Sequence, residues 1–174
     1  MTGPEFSRPV ALDSLGSAAR QMSIEADEGE RAALARRFDL VALDRLAAEA
    51  RVWREGEDVR VEGRIDAKAV QSCVATAEPV PTIVDVPFDL VFRQTRDERS
   101  DEAVELGESE LDIVFFDGGA IDLGEAAAET LALSLDPFPR APGADSALRA
   151  AGVKSEEEAG PFGALAELRD RLKP

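Results

Sequence analysis

Residues 58–67, DVRVEGRIDA, place Val59, Val61, Gly63 and Ile65 at alternate positions, with Arg60, Glu62, Arg64 and Asp66 between them. Successive side chains of a strand point to opposite faces, so a period of two commits this stretch to a strand with one buried and one wet face. A chain that contains such a strand must supply a second layer to cover its apolar side. Just before it, Glu55 to Asp58 surround Gly56, the setting of a hairpin turn, with RVWRE as the other arm. IVDVPFDLVF repeats the pattern, with Val84, Val86, Phe88, Leu90 and Phe92 on one face and Asp85, Pro87 and Asp89 on the other. Pro87 cannot donate to a ladder, which predicts an edge or a bulge there. Between them AVQSCVATAEPV reads as a third strand closed by the EPVP turn, so residues 50–93 predict an antiparallel meander.

The flanking segments add helices. FSRPVAL and ARQMSIEA read as short strands around a turn at Asp13 to Gly16. In DEGERAALARRF, Asp27 and Glu30 are spaced as a capping box, and the alanines that follow predict a helix over 28–37. Leu40, Leu43, Leu46 and Ala47 in FDLVALDRLAAEA fall at helical spacing and predict a second short helix. DIVFF is a candidate strand. In DGGAIDLGE, Asp122 can cap a helix with Glu125 three positions on; Ala127, Leu131 and Leu135 form its stripe, Glu125 and Glu129 lie nearer its outer side, and Pro137 ends it. Residues 137–160 are rich in Pro, Gly and Ala and predict weakly ordered chain, followed by a terminal amphipathic helix carrying Phe162, Leu165, Leu168 and Leu172. The expectation is a single α+β domain over 1–174: an antiparallel β-sheet, able to close toward a barrel, covered by several short helices and carrying an acidic mobile insertion at about 94–110.

Charge bounds the partners. The chain has 36 acidic residues against 20 basic, a net charge of −16, with no histidine and one cysteine. That balance opposes non-specific adhesion to DNA, RNA or anionic lipid and fits a cationic partner. A lone cysteine forms no internal disulfide, the opening MTGPEFSRPV lacks the basic-then-apolar order of a secretion signal, and no apolar run approaches bilayer length. The expected location is the cytoplasm. The acidic stretch QTRDERSDEAVELGESE, residues 94–110, serves either as a solvated loop or as a docking surface for a basic protein. The basic residues gather earlier, where Arg51, Arg54, Arg60, Arg64 and Lys68 are candidates for RNA contact and Trp53 could stack on a base. The alternative is core packing for Trp53 and ordinary solvated strand arginines.

Catalytic motifs are mostly missing. No phosphate-binding loop, dinucleotide fingerprint, nucleophile elbow or paired Cys-x-x-Cys occurs, and the lack of histidine removes the commonest base and metal ligand. Cys73, set in the third strand without a histidine to activate it, reads as structural. Asp112, Asp117 and Asp122 are five apart and could hold magnesium, but Asp117 before two glycines fits a turn and Asp122 fits a cap. We therefore expect no enzyme, no catalytic residue, no cofactor and no metal, with a carboxylate-based metal-dependent hydrolase as the distant alternative.

The motifs QSCVATAEPV and IDLGEAAAETLALSLDPFPR give the chain a resemblance to the YceD family, the large ribosomal RNA subunit accumulation proteins. In the first, Gln71, Cys73, Thr76, Glu78 and Pro79 match; in the second, Asp122, Leu123, Gly124, Glu125, Glu129, Leu131, Leu133, Asp136, Pro137 and Pro139 match. The resemblance spans nearly the whole chain and implies a non-enzymatic factor in ribosome biogenesis that supports accumulation of large-subunit ribosomal RNA. The implied partner is a basic ribosomal protein or a pre-ribosomal particle; the alternative is an assembly factor that binds ribosomal RNA directly through a local arginine face. Some relatives carry further cysteines that look like zinc ligands. Here position 75 is alanine and no cysteine follows Cys73, so a zinc site does not carry over.

Overall fold

Strand pairing is densest where the alternation is strictest. The computed structural model describes residues 4–95 and 112–153. A five-stranded sheet has the order β2-β3-β4-β5-β6, built from β2 (Arg20–Glu25), β3 (Ala42–Glu55), β4 (Asp58–Ser72), β5 (Pro79–Gln94) and β6 (Asp112–Phe116). A separate antiparallel pair joins β1 (Pro9–Ala11) to β7 (Ala120–Asp122). The helices are α1 (Glu28–Arg37), α2 (Leu123–Ser134) and α3 (Ala144–Ala150). Two compact units can be distinguished: Met1–Gln71 with Pro81–Pro137, and Ser72–Val80 with Phe138–Pro174.

In the first unit, the long hairpin β3–β4 turns at Gly56, whose φ of +66° a glycine adopts without strain. Along β4, Val59, Val61, Ile65, Ala67 and Ala69 are buried, while Arg64, Asp66 and Lys68 are exposed. Val84, Phe88, Leu90 and Phe92 of β5 and Ile24 of β2 join this inner side. Leu34 and Ala35 of α1 and Leu123, Ala127 and Leu131 of α2 belong to the same apolar core. The capping box of α1 forms as expected: Glu30 N–H donates to Asp27, and the Glu30 carboxylate accepts from Asp27 N–H, each at 2.8 Å.

Four expectations need correction. FDLVALDRLAAEA builds no helix; residues 42–55 are one strand, paired with β4 along its length and with β2 over Ala47–Val52. A register shift between Leu43 and Arg45 lets Leu43 and Leu46 both point inward, so a β-bulge imitates a helical spacing. AVQSCVATAEPV is not a third strand: β4 runs on through Ser72, and Cys73 sits in the turn before β5. The sheet is mixed, because β6 pairs with β5 in parallel, an arrangement the chain between Gln94 and Asp112 is long enough to allow. It is also an open sheet, not a barrel. Pro87 lies on β5 before the stretch Leu90–Gln94 that pairs with β6, at an edge as expected.

In the second unit, Cys73, Ala141 and Ala144 form a small apolar cluster, with Ala75 and Val80 against it. The helix α3 occupies part of the stretch 137–160 expected to be weakly ordered. The acidic insertion expected at about 94–110, beyond Thr95, and the expected terminal amphipathic helix fall outside the described residues.

Candidate functional site

The outer face of the five-stranded sheet collects most of the cationic candidates. Strand parity places Arg51 and Trp53 of β3 and Arg60, Arg64 and Lys68 of β4 on this face, opposite the core. Arg54 has the opposite parity, at the hairpin end of β3 across from Val59. Trp53 is half-buried and sits directly across from Arg60, on the side away from the core.

Carboxylates interleave with these cations. Arg51 donates to its cross-strand partner Glu62 at 2.5 Å. Arg60 reaches Asp89 at 3.2 Å and Glu55 at 3.5 Å. Arg64 pairs with Asp85, and Arg45 bridges Glu25 at 2.8 Å and Asp66 at 2.7 Å. At the end of the sheet Arg93 meets Asp58 at 2.7 Å. Carboxylate hydrogen bonds are the main influence holding the Arg45, Arg60 and Arg64 guanidinium pKa above the ordinary arginine value, and Arg64 in turn lowers Asp85. The face is thus a lattice of alternating charge instead of a cationic patch. Lys68 and Arg54 have no ion-pair partner among the described residues.

The motif positions serve two structural junctions. In the first unit, Asp122 Oδ1 accepts from Arg8 N–H at 2.8 Å, Gly124 N–H at 3.0 Å and Glu125 N–H at 3.2 Å, capping α2 while holding the segment that leads into β1. These contacts commit Asp122 to a cap, which removes it from the three-aspartate magnesium reading. Gly124 faces the Phe6 carbonyl so closely that a Cβ there would collide with backbone. Glu125 takes a bidentate ion pair from Arg37, at 2.6 and 3.0 Å, and Arg37 also reaches Glu5 at 3.1 Å. Glu129 is exposed, and Leu123 is fully buried. Gln71, buried at the end of β4, donates through Nε2 to the Asp136 carbonyl at 2.8 Å and accepts from Thr82 Oγ1 at 3.1 Å. It thereby ties the exit of α2, next to Pro137, to the sheet.

The second junction is the Cys73 turn. Cys73 N–H donates to the Glu78 carbonyl at 2.8 Å, Ala77 N–H returns to the Cys73 carbonyl at 2.9 Å, and Ala77 takes a left-handed φ of +60°. Thr76 Oγ1 donates to Glu78 Oε2 at 3.0 Å, just before Pro79 opens β5. Val74 N–H donates to the carbonyl of the buried Pro139 at 2.9 Å. The buried Cys73 Sγ accepts from Ala141 N–H at 3.3 Å. That amide, with the Thr76 hydroxyl and the backbone of Ala75 and Thr76, holds the thiol pKa down to about 7.

Sequence reasoning found the arginines but missed their counter-charges. Asp85 and Asp89 were legible as the wet face of a strand; what assigns them to Arg64 and Arg60 is the register between β4 and β5, which no single strand reveals. Arg8 and Arg37, which clamp Glu30 and Glu125, carried no motif signal at all.

Together these observations define an α+β protein with a charge-laced outer sheet face and two tightly tied motif junctions. Among the described residues no cluster of acidic or cysteine side chains could hold a metal ion. No helix among them is long and apolar enough to cross a membrane. The YceD family model, described as large ribosomal RNA subunit accumulation protein YceD, matches residues 61–169, and the chain belongs to this family. Neither a curated protein nor a solved structure matches it.

Proposed function

We propose that this chain acts in the cytoplasm as a non-enzymatic factor in ribosome biogenesis, supporting accumulation of large-subunit ribosomal RNA by holding a basic ribosomal protein or the pre-ribosomal particle that contains one. The observation that carries this reading is the neutralisation of the strand arginines. Arg51, Arg60 and Arg64, the natural contacts for phosphate, each already engage a carboxylate of the same sheet. RNA would have to displace those carboxylates, whereas a cationic partner meets a chain of net charge −16.

Direct RNA contact is the second reading, favoured by Lys68 and Arg54, which have no ion-pair partner among the described residues, and by Trp53 on the same sheet. Salt dependence separates the two. Neutralising the acids between Asp97 and Glu110 should slow association with a basic ribosomal protein and flatten its salt response, while leaving RNA binding unchanged or stronger. Arg51→Ala with Arg60→Ala should weaken RNA binding and lower its salt slope by up to about two units if RNA is contacted there. The protein-partner reading fails if the acidic variants bind basic ribosomal proteins as the parent does and the arginine pair abolishes binding to ribosomal RNA.

A further inference from the structure

The outer sheet face is not flat. Over the row where Ala50 of β3 pairs with Gly63 of β4, it holds a groove of about 710 Å³, bounded by Gln21 and Ser23 of β2, Glu49 and Arg51 of β3, and Glu62 and Arg64 of β4. Gly63 cannot carry a side chain, because a Cβ there would strike the Glu49 carbonyl and the Phe88 ring. Ala50 and Gly63 themselves turn toward the core, so the groove floor is strand backbone, with charged side chains of the outer face along its sides.

The charges do not all pair within the groove. Arg51 is engaged by Glu62, and Arg64 turns away from its direct cross-strand partner Glu49 to pair with Asp85. Glu49 is left exposed and without an ion-pair partner among the described residues. The four charged residues of the groove sum to zero, and counting Asp85 outside it as the counter-ion of Arg64 leaves the Glu49 carboxylate as the one unanswered charge among them.

We propose that this groove is a docking surface for an extended segment of a protein partner, one that presents a lysine or arginine to Glu49. The inference rests on the protein-partner reading above and assigns it a place on the fold. Gln21 and Ser23 on the edge strand offer neutral hydrogen-bonding groups to the segment's backbone.

The probe is a labelled peptide of alternating lysine and threonine, with a glutamate–threonine peptide as its control, added to the full chain at low salt. Fluorescence anisotropy should show the lysine peptide binding and the glutamate peptide not binding. Glu49→Gln should weaken that binding about two- to five-fold, the range expected for one exposed ion pair, with Glu49→Lys weaker still and the distant Asp44→Asn unchanged. Glu49 is exposed, so these variants should fold, which circular dichroism verifies. In parallel, the lysine peptide should shift the amide resonances of residues 21–23, 49–51 and 62–64. Unchanged affinity in both Glu49 variants, or shifts confined to other residues, overturns the groove assignment. If neutralising the acids from Asp97 to Glu110 still impairs binding of a basic ribosomal protein in that case, the groove inference alone is lost. If the parent binds neither the lysine peptide nor any basic ribosomal protein, both readings fall.

Discussion

The hydroxyl of Ser7 donates to Asp122 Oδ2 at 2.5 Å, joining the approach to β1 with the first turn of α2 across 115 residues of chain. The other oxygen of the same carboxylate takes three backbone amides, so one side chain closes two segments at once.

Asp122→Ala should therefore cost about 2–3 kcal/mol, more than a helix cap alone, because it also orphans Arg8 N–H and the Ser7 hydroxyl. Ser7→Ala should cost about 1 kcal/mol, the worth of one hydrogen bond. Urea unfolding of the two variants checks the ranking; equal losses would show that the helix-cap amides are satisfied some other way.

Gly124→Ala puts a methyl group against the Phe6 carbonyl, which is backbone and cannot swing aside. The expected loss is about 1–3 kcal/mol, as for other overpacked sites. Gly119→Ala is the control, since nothing lies within 4 Å of its added Cβ, and it should be neutral or stabilising by up to about 1 kcal/mol. Thermal unfolding that fails to distinguish the two would contradict the close approach.

Gln71 is the one buried polar side chain among the described residues, and both ends of its amide are used. Gln71→Leu keeps the volume but deprives the Asp136 carbonyl and the Thr82 hydroxyl of this partner, at a cost of about 1–3 kcal/mol. The prediction fails if the leucine variant unfolds at the parent's denaturant midpoint.

Cys73 gives stability a pH dependence of known sign. Its thiol is held down to about 7, below the ordinary thiol value, so its thiolate stabilises the fold fully above that ordinary value. The contribution is lost as pH falls through about 7. The stability difference between parent and Cys73→Ala should accordingly grow in the parent's favour as pH rises from about 6 to 9. Thiolate absorbance in the ultraviolet should rise with a midpoint near 7. A midpoint at the ordinary thiol value of about 8.5 would refute the assignment.

The sequence was most informative where one segment determines its own structure. The alternation over 58–67, the Gly56 turn, the Asp27–Glu30 capping box and the Asp122 cap are local patterns, and all four are present. It misled where pairing overrides local preference: the alanine- and leucine-rich stretch from Leu40 to Ala50 has helical spacing, yet β2 and β4 capture most of it as an inner strand. Residues 71–79 were legible as a family motif, but not as a turn tied to the segment after α2, since Val74 N–H donates to Pro139 and Cys73 Sγ accepts from Ala141, far along the chain. The outer face was half legible. Period two placed the arginines of one strand together, and only the cross-strand register shows that each is answered by an acid.

The parallel docking of β6 on β5 sets a lower limit on loop length. Because Leu90 lies level with Asp112 and Gln94 level with Phe116, the chain leaving β5 must return along the strand direction before β6 can begin. Four residue steps of about 3.3 Å separate those levels, roughly 13 Å of travel before any allowance for turning. Parallel neighbours need a connection of about a dozen residues or more to make that return, and the chain supplies 95–111. Cut below that floor, the connection would force β6 to leave the sheet or to pair with β5 in the opposite direction.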